Sequence, residues 1–259
     1  FRDGFGPFLP GFVSIPFDDL DALERALSEG DVAAFITEPI QGHGVCIPGD
    51  DFLPGAARLC RRHGALLIAD EVQTGLGRTG RMWAFEHADI EPDMVCMAKA
   101  LSGGFVPVGA LACRKGILEK VFSSMDRAMV HGSTFSKNNL AMAAGLATLQ
   151  VIEDEQLVAN SARMGASILA QLDALSEQYE LLGEVRGRGM MIGMQFAAPR
   201  SLKLKAAWRM LEAASTGLFC QMITVPLFTR HRVLSQVAGH GSYVVKFIPP
   251  LTLSEDDCR

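Results

Sequence analysis

The sequence has little charge, few aromatic residues and no clustered cysteines, and each shortage narrows the classes of protein to which it can belong. Charged residues make up 20% and aromatic residues 7% of its 259 residues, whereas 49% are hydrophobic. The formal net charge is −5 and no block of Lys or Arg occurs, which argues against nucleic acid or an anionic membrane as partner. Uncharged stretches such as 100–113 and 217–229 are too short for a membrane-spanning helix.

The six cysteines are scattered along the chain without any Cys-x-x-Cys pair. Several lie in apolar runs, which favours reduced core thiols in a cytoplasmic protein over a disulfide framework. His63, His87 and His240 show no metal-ligand spacing, so no metal site is predicted. The sequence begins without Met, and 253–257 at its other end reads like the start of a helix. We therefore expect it to be a piece of a longer protein.

Short apolar runs alternate with helical patterns in the first two-thirds of the chain, which predicts βαβ units and a mostly parallel sheet. The predicted elements there are strands at 33–37, 66–69, 94–97 and 108–113 and a helix at 52–63. Later patterns predict helices at 139–153, 155–176 and 202–215 and strands at 184–196, 221–227 and 243–248. We predict two domains, with residues 1–143 belonging to a large α/β domain and residues 144–259 forming a smaller α+β domain.

Three of the predicted strands end in residues that can carry chemistry. Glu38 follows the first strand, Asp70 the second and Lys99 the third. Ligands of open α/β sheets bind outside the carboxyl ends of the strands. At a partly desolvated strand end, the amine of Lys99 can form a Schiff base with an aldehyde. A carboxylate at Asp70 can keep the ring nitrogen of a pyridine-based cofactor protonated, so the pair suits pyridoxal phosphate.

Two other motifs compete with this interpretation. Residues 66–71 read like a Walker B strand, but the sequence contains no Gly-x4-Gly-Lys-[Ser/Thr] loop. Residues 75–80 spell Gly-x-Gly-x-x-Gly, but five residues separate them from the strand, and the next strand ends in Lys99 rather than in an acid. An ATPase and a dinucleotide-binding enzyme are therefore the weaker interpretations.

Four segments resemble the class III aminotransferases, the group that includes ornithine, acetylornithine, putrescine and 4-aminobutyrate aminotransferases. They are Glu-Pro-Ile-Gln-Gly at 38–42, the segment 68–80, Lys-Ala-Leu-Ser-Gly-Gly at 99–104 and His-Gly-Ser-Thr-Phe at 131–135. The family's order and spacing continue through 186–189 and 249–251. The resemblance implies a fold-type-I pyridoxal phosphate enzyme, with a mixed, mostly parallel sheet flanked by helices and a small C-terminal domain.

The resemblance also implies roles for individual residues. Lys99 matches the Schiff-base lysine and Asp70 the partner of the pyridine nitrogen. Val72 would pack on one face of the cofactor ring, and Gln73 would approach its phenolic oxygen. Thr134 matches a threonine that reaches the phosphate of the neighbouring subunit, which implies a homodimer with shared active sites.

The reaction that the resemblance implies is transfer of an amino group from an amino acid or an ω-amine to a 2-oxo acid. A racemase, an aminomutase or a decarboxylase on the same fold remains an alternative, as do an ATPase and a catalytically inactive paralogue. Family members also have, N-terminal to the matched region, a phosphate-binding turn and an aromatic residue that stacks on the cofactor. This sequence lacks both, so we expect the chain by itself to be inactive.

The sequence departs from the family at two positions that belong together. Many members place a glutamate after the motif 38–42 and an arginine before Pro-Pro-Leu, where this sequence has His43 and Lys246. The family's pair acts as a switch that frees the arginine for a substrate carboxylate. Lysine offers one point charge in place of a planar fork, so we predict that the substrate carboxylate is held by Lys246 as a weaker anchor or by a residue outside this sequence, with Glu38 and His43 beside the substrate. Alternatively, Lys246 is solvated at a strand edge and His43 fills a loop.

Overall fold

The structure is a computed structural model and describes residues 4–258. Eight strands occur in this range: β1 Ala34–Thr37, β2 Leu66–Asp70, β3 Met94–Met97, β4 Ala110–Cys113, β5 Leu182–Arg188, β6 Met191–Phe196, β7 Gln236–Ala238 and β8 Val244–Phe247. Seven α-helices accompany them: α1 Leu20–Leu27, α2 Phe52–His63, α3 Lys115–Val121, α4 Asn139–Asp154, α5 Leu157–Gln178, α6 Leu202–Ala214 and α7 Leu218–His231. The chain forms two separate sheets.

The first sheet has the strand order β1-β2-β3-β4. The first three strands are parallel, and β4 runs antiparallel to β3. The predicted mixed, mostly parallel sheet is therefore confirmed. Because β1, β2 and β3 run in the same direction, their carboxyl ends meet at one edge of the sheet.

Helix α2 connects β1 to β2 and covers one face of the sheet. Its apolar residues recur at helical spacing, and Leu59 and Cys60 pack with Leu23 and Leu27 of α1 and with Leu67 of β2. The helix ends at Gly64, whose φ of 72° lies in the left-handed region. Glycine adopts this conformation without a steric penalty, so the chain turns there into β2.

The second sheet has the order β5-β6-β8-β7 and is antiparallel throughout. Helices α6 and α7 cover it through an aromatic core in which the rings of Trp208 and Phe219 lie 5.0 Å apart between centroids. Helix α5 meets the β5–β6 turn where Gly165 contacts Gly189, and a Cβ on Gly165 would collide with the Gly189 carbonyl. The Met190 N–H donates to the Arg78 carbonyl at 3.0 Å, which ties this turn to the loop after β2.

The predicted single strand at 184–196 is wrong, because the structure contains a hairpin of β5 and β6. The chain reverses at Gly189, whose φ is 53°. Gly189 lies against the backbone of Thr79 and Gly80, where a side chain has no room. Gly189 therefore marks the turn of the hairpin, whereas Gly187 lies within β5 and Gly193 within β6.

The predicted strand at 221–227 is also wrong, because these residues lie within helix α7. A short apolar run with β-branched residues suits either a buried helix or a strand, and periodicity alone does not separate the two. Tertiary packing decides the outcome: Cys220 is fully buried, and Phe219 and Ile223 pack on the second sheet from one side of a helix.

Smaller differences concern the ends and the shorter elements. The strand predicted at 108–113 spans Ala110–Cys113 and is antiparallel, and only a short 3-10 turn at Asp256–Cys258 follows the predicted helix start at 253–257. Helices α1 and α3 and strand β7 were not predicted. The predicted boundary between residues 143 and 144 falls within α4, and the division into two domains stays a prediction.

No single helix within residues 4–258 has the length and apolarity needed to cross a membrane, and α6 and α7 reach that length only as a pair bent by 92°. All six cysteines lie in the described range, and none of them forms a disulfide.

Candidate active site

The three reactive residues at the ends of β1, β2 and β3 lie close together, as the sequence predicts. Glu38 follows β1, Asp70 is the last residue of β2, and Lys99 lies two residues beyond β3. Glu38 is close enough to Asp70, Lys99 and Lys246 for all three charges to influence its pKa. Two carboxylates and two amines therefore share one edge of the first sheet.

The carboxylate of Asp70 is held in a fixed orientation by the main chain. Its Oδ1 accepts the N–H of Val72 at 3.0 Å, and the residue is half-buried beside β3, where it pairs with Cys96. Within residues 4–258, Oδ2 of Asp70 takes part in no hydrogen bond. One oxygen fixes the side chain, and the other is available to a ligand.

The next residue along the chain has a different role. Glu71 is 1% exposed, and its carboxylate accepts hydrogen bonds from the Thr74 hydroxyl and from the Phe85 N–H. Burial raises the pKa of Glu71. Its carboxylate stabilises the loop that follows β2. Of the two acidic residues in the Walker-like motif, Asp70 therefore lies at the site and Glu71 in the core.

Lys99 begins a 3-10 turn, Lys99–Ser102, with a φ of 48°. This left-handed conformation costs roughly 1–2 kcal/mol for a residue with a Cβ, and such strain is concentrated at functional sites. Two buried residues of the same turn, Leu101 and Ser102, hold the backbone in place. The Lys99 Nζ donates to Oε1 of Gln73 at 3.3 Å.

The surroundings of Lys99 differ from the prediction in one respect. The residue is exposed in the described part of the chain, whereas a partly desolvated position was expected. The reason is that Lys99 follows β3 at an open edge of the sheet and adjoins the exposed Gly103 and Gly104. Its amine is therefore accessible to an incoming aldehyde.

Gly42 connects three side chains of the site. Its N–H donates to Oε1 of Glu38 at 3.1 Å, and its carbonyl accepts Nε2 of Gln73 at 3.2 Å and Nζ of Lys246 at 2.9 Å. A Cβ at this position would collide with the Gln73 amide, so the amide would have to move if Gly42 were replaced. Sequence reasoning did not single out Gly42, and the signal that could have found it is the glycine that closes the motif 38–42.

Burial changes the proton affinity of the two charged groups around Gly42. The pKa of Glu38 is raised mainly by burial, although the Gly42 N–H opposes this shift. The pKa of Lys246 is lowered mainly by burial and further by the nearby charge of Lys99. Both shifts reduce the tendency of these side chains to carry charge.

The alternative in which Lys246 is solvated at a strand edge is wrong. Lys246 is 6% exposed, and β8 is an inner strand between β6 and β7. Its Nζ instead reaches across from the second sheet to the loop after β1, over a separation of 204 residues. Its predicted contact with a substrate carboxylate stays a prediction, as do those of Glu38 and His43.

Two further predicted residues lie at the margin of this cluster. His43 is exposed, and its main-chain oxygen accepts the N–H of Gly239 at 2.6 Å. Thr134 is exposed within a turn, and no hydrogen bond joins it to the strand-end residues in the part of the chain that the structure describes. A role for Thr134 at this chain's own site therefore has no geometric support.

Sequence reasoning missed Arg186 on β5, although it lies in one of the motifs that carry the resemblance. Its guanidinium donates to the carbonyls of Gly44 and Val45 at 2.8 and 2.9 Å, and its side chain is only 14% exposed. Arg186 thus holds the loop after β1 against the second sheet. The motif Arg-Gly-Arg-Gly at 186–189, which carries part of the resemblance, is the signal that could have identified it.

A mixed sheet with an accessible amine, a fixed carboxylate and a glutamine amide at its carboxyl edge fits a pyridoxal phosphate enzyme of fold type I. Comparison with known families agrees. The family model for class III aminotransferases matches residues 1–259, and the chain belongs to this family.

Individual relatives point to the same family. Rat mitochondrial ornithine aminotransferase is 40% identical over an alignment of 259 positions, which covers 99% of this chain and 53% of the rat protein. The aminotransferase PigE of Serratia sp. (strain ATCC 39006) is 34% identical over 98% of this chain and 33% of its own length. The chain therefore spans about half, or less, of the curated relatives that it matches.

Solved structures support the fold. Ornithine aminotransferase from Toxoplasma gondii superposes with a TM-score of 0.85 at 35% identity, over 99% of this chain and 55% of the other. In that structure the cofactor PLP partially occupies the active site. Acetylornithine aminotransferase from Elizabethkingia anophelis has a TM-score of 0.77 at 35% identity, over 96% of this chain and 60% of the other.

Proposed function

We propose that this protein transfers an amino group from an amino acid or an ω-amine to a 2-oxo acid, with pyridoxal phosphate as cofactor. The observation that carries the proposal is that Lys99 and Asp70 follow or end two adjacent parallel strands and that both of their charges influence the pKa of Glu38. Membership of the class III aminotransferases supports it.

The described residues fit the cofactor chemically. Lys99 Nζ is exposed and can bond to the cofactor aldehyde, and Oδ2 of Asp70 is available for a protonated ring nitrogen. Val72 would pack on the ring, and Gln73 would approach the phenolic oxygen. When bound, the cofactor supplies an electron sink for charge that develops on the substrate.

The protein residues would provide binding, orientation and proton transfer. Asp70 would keep the proton on the ring nitrogen, because a fixed anion favours the charged form of its partner. Lys99, once its amine is released, would move the proton between the substrate α-carbon and C4′ of the cofactor as general base and acid. A racemase, an aminomutase or a decarboxylase would use the same two residues.

Transfer to a 2-oxo acid separates these reactions. We expect the cofactor-loaded full-length protein to convert 2-oxoglutarate or pyruvate to its amino acid when a panel of amino acids and ω-amines is supplied. Amino acid formation is measured by chromatography, and samples without amine or without 2-oxo acid serve as controls. Racemised, rearranged or decarboxylated donor without amino acid formed from the 2-oxo acid would contradict the proposal.

We further propose a homodimer in which Thr134 reaches the cofactor phosphate of the partner subunit. Exposed apolar side chains support an interface, since Phe105, Met129 and Phe135, the neighbour of Thr134 in sequence, are each more than 80% exposed. Large contiguous apolar surfaces are uncommon on monomers and mark association sites.

A cytoplasmic location is also proposed, and the absence of disulfides among the six cysteines supports it.

Mixing two defective variants tests the shared site. Thr134→Ala chains and Lys99→Ala chains form hybrid dimers, each with one doubly damaged site and one undamaged site. Random exchange between equal amounts should restore about a quarter of the wild-type sites, because half of the dimers are hybrids. Activity is measured before and after verified subunit exchange, and recovery would be absent if Thr134 served its own chain.

A further inference from the structure

Four groups form a continuous hydrogen-bonded connection between the second sheet and the candidate catalytic lysine. Lys246 Nζ donates to the Gly42 carbonyl at 2.9 Å, and Gln73 Nε2 donates to the same oxygen at 3.2 Å. Oε1 of Gln73 then accepts Nζ of Lys99 at 3.3 Å. Among the residues that the structure describes, Lys246 joins the second sheet to this series of hydrogen bonds through its side chain.

The connection determines which way the Gln73 amide faces. A carbonyl oxygen only accepts hydrogen bonds, so the amide NH2 must face Gly42 and the amide oxygen must face the Lys99 amine. In the reversed amide, the amide oxygen would face the Gly42 carbonyl oxygen, and the amide NH2 would face the Lys99 amine. Both hydrogen bonds would then be lost, which disfavours the flip.

The position of Gly42 determines whether this orientation holds. Its N–H is bonded to Glu38, and its carbonyl is bonded to Lys246, which is buried and reaches it from an inner strand. The amide of Gln73 occupies the space where a Cβ on Gly42 would lie, so such a Cβ would displace it. A shift of the Gly42 peptide would therefore move the Gln73 amide directly.

Resting on the proposed function, we propose that Lys246 is a positioning residue that acts through Gly42 to orient Gln73 toward Lys99 and the cofactor. Lys246 itself does not touch the reacting atoms. A lysine suits this position because its side chain is long and ends in a donor that reaches the Gly42 carbonyl. This role differs from direct binding of a substrate carboxylate, and the two make different predictions.

The test compares three variants of the cofactor-loaded protein. Lys246→Met keeps the apolar length but removes the donor, Lys246→Arg keeps a donor, and Gly42→Ala displaces the Gln73 amide with Lys246 intact. Lys205→Met, a substitution at an exposed lysine of α6, is the matched control. Two quantities are measured: the pH midpoint of the absorbance of the bound cofactor, and single-turnover rates with one amine that has an α-carboxylate and one that lacks it.

If Lys246 positions Gln73, Lys246→Met should shift the pH midpoint by roughly half to one unit, the effect of about one hydrogen bond. Both amines should react about tenfold more slowly, and by the same factor. Lys246→Arg should restore most of both quantities, and Gly42→Ala should reproduce the shift even where Lys246→Met does not fold. The Lys205→Met control should match the wild type.

A double-variant comparison shows whether the effect passes through Gln73. In a Gln73→Met background, Lys246→Met should cause no further shift, whereas independent effects would add. Additivity would overturn the proposal, and so would a loss confined to the amine with the α-carboxylate, which would make Lys246 an anchor. A wild-type protein that binds no cofactor at Lys99 would instead overturn the proposed function.

Discussion

Replacing Lys99 by alanine is expected to abolish covalent capture of the cofactor and to reduce amino transfer by several orders of magnitude. The variant removes both the amine that bonds to the cofactor aldehyde and the base that moves the proton on the substrate. No other described amine is placed to take over, because Nζ of the nearest lysine, Lys246, is buried and bonded to the Gly42 carbonyl. The absorbance of lysine-bound cofactor should be absent from the variant.

Borohydride reduction locates the bond directly. Reduction of the cofactor-loaded wild-type protein should leave a pyridoxyl group on the peptide that contains Lys99, as detected by mass spectrometry. Lys203→Ala, at an exposed lysine of α6, is the control and should keep the label and the activity. A pyridoxyl group on Lys246, or an unchanged spectrum in Lys99→Ala, would refute the assignment of Lys99.

Replacing Asp70 by asparagine should also reduce turnover by several orders of magnitude, although the local structure is retained. Asparagine keeps an oxygen that can accept the Val72 N–H, so the loop after β2 stays in place. It lacks the negative charge that would keep the cofactor ring nitrogen protonated, and the electron sink then loses its driving force. The variant therefore separates the charge of Asp70 from its structural role.

Steady-state kinetics and cofactor titration measure this effect. We expect cofactor binding to weaken less than turnover, because Lys99 still holds the aldehyde. Asp173→Asn, at an exposed position of α5, makes the same chemical change away from the site and should behave like the wild type. A loss of turnover of less than about tenfold would assign Asp70 a different role.

The core of the candidate site could be predicted because its residues follow strands with clear local signals. Each of the runs before Glu38, Asp70 and Lys99 is apolar, short and followed by polar residues, and parallel strands bring such ends to one edge. The helix at 52–63 was predicted with its observed bounds, since its apolar spacing and Gly64 are local features. The family resemblance then implied roles that composition and spacing alone do not supply.

Elements with ambiguous local signals were predicted less well. Residues 221–227 form a short, mostly apolar run with β-branched residues, which periodicity alone does not assign to a strand or a helix, and the strand prediction was wrong. The run 184–196 was predicted as one strand because its glycines did not show which of them makes the turn. Contacts of Gly189 with a loop more than 100 residues earlier in the chain select that position.

The sequence by itself determined the order of the strands along the chain, the chemistry at their ends and the family to which the chain belongs, because these depend on neighbouring residues and on motif spacing. Only the tertiary structure decided that Lys246 is buried and bonded to Gly42, 204 residues away, and that Gly42 joins Glu38, Gln73 and Lys246. The physical reason is that burial and hydrogen bonding between distant segments depend on how the two sheets pack. No local pattern encodes which carbonyl a distant lysine will reach.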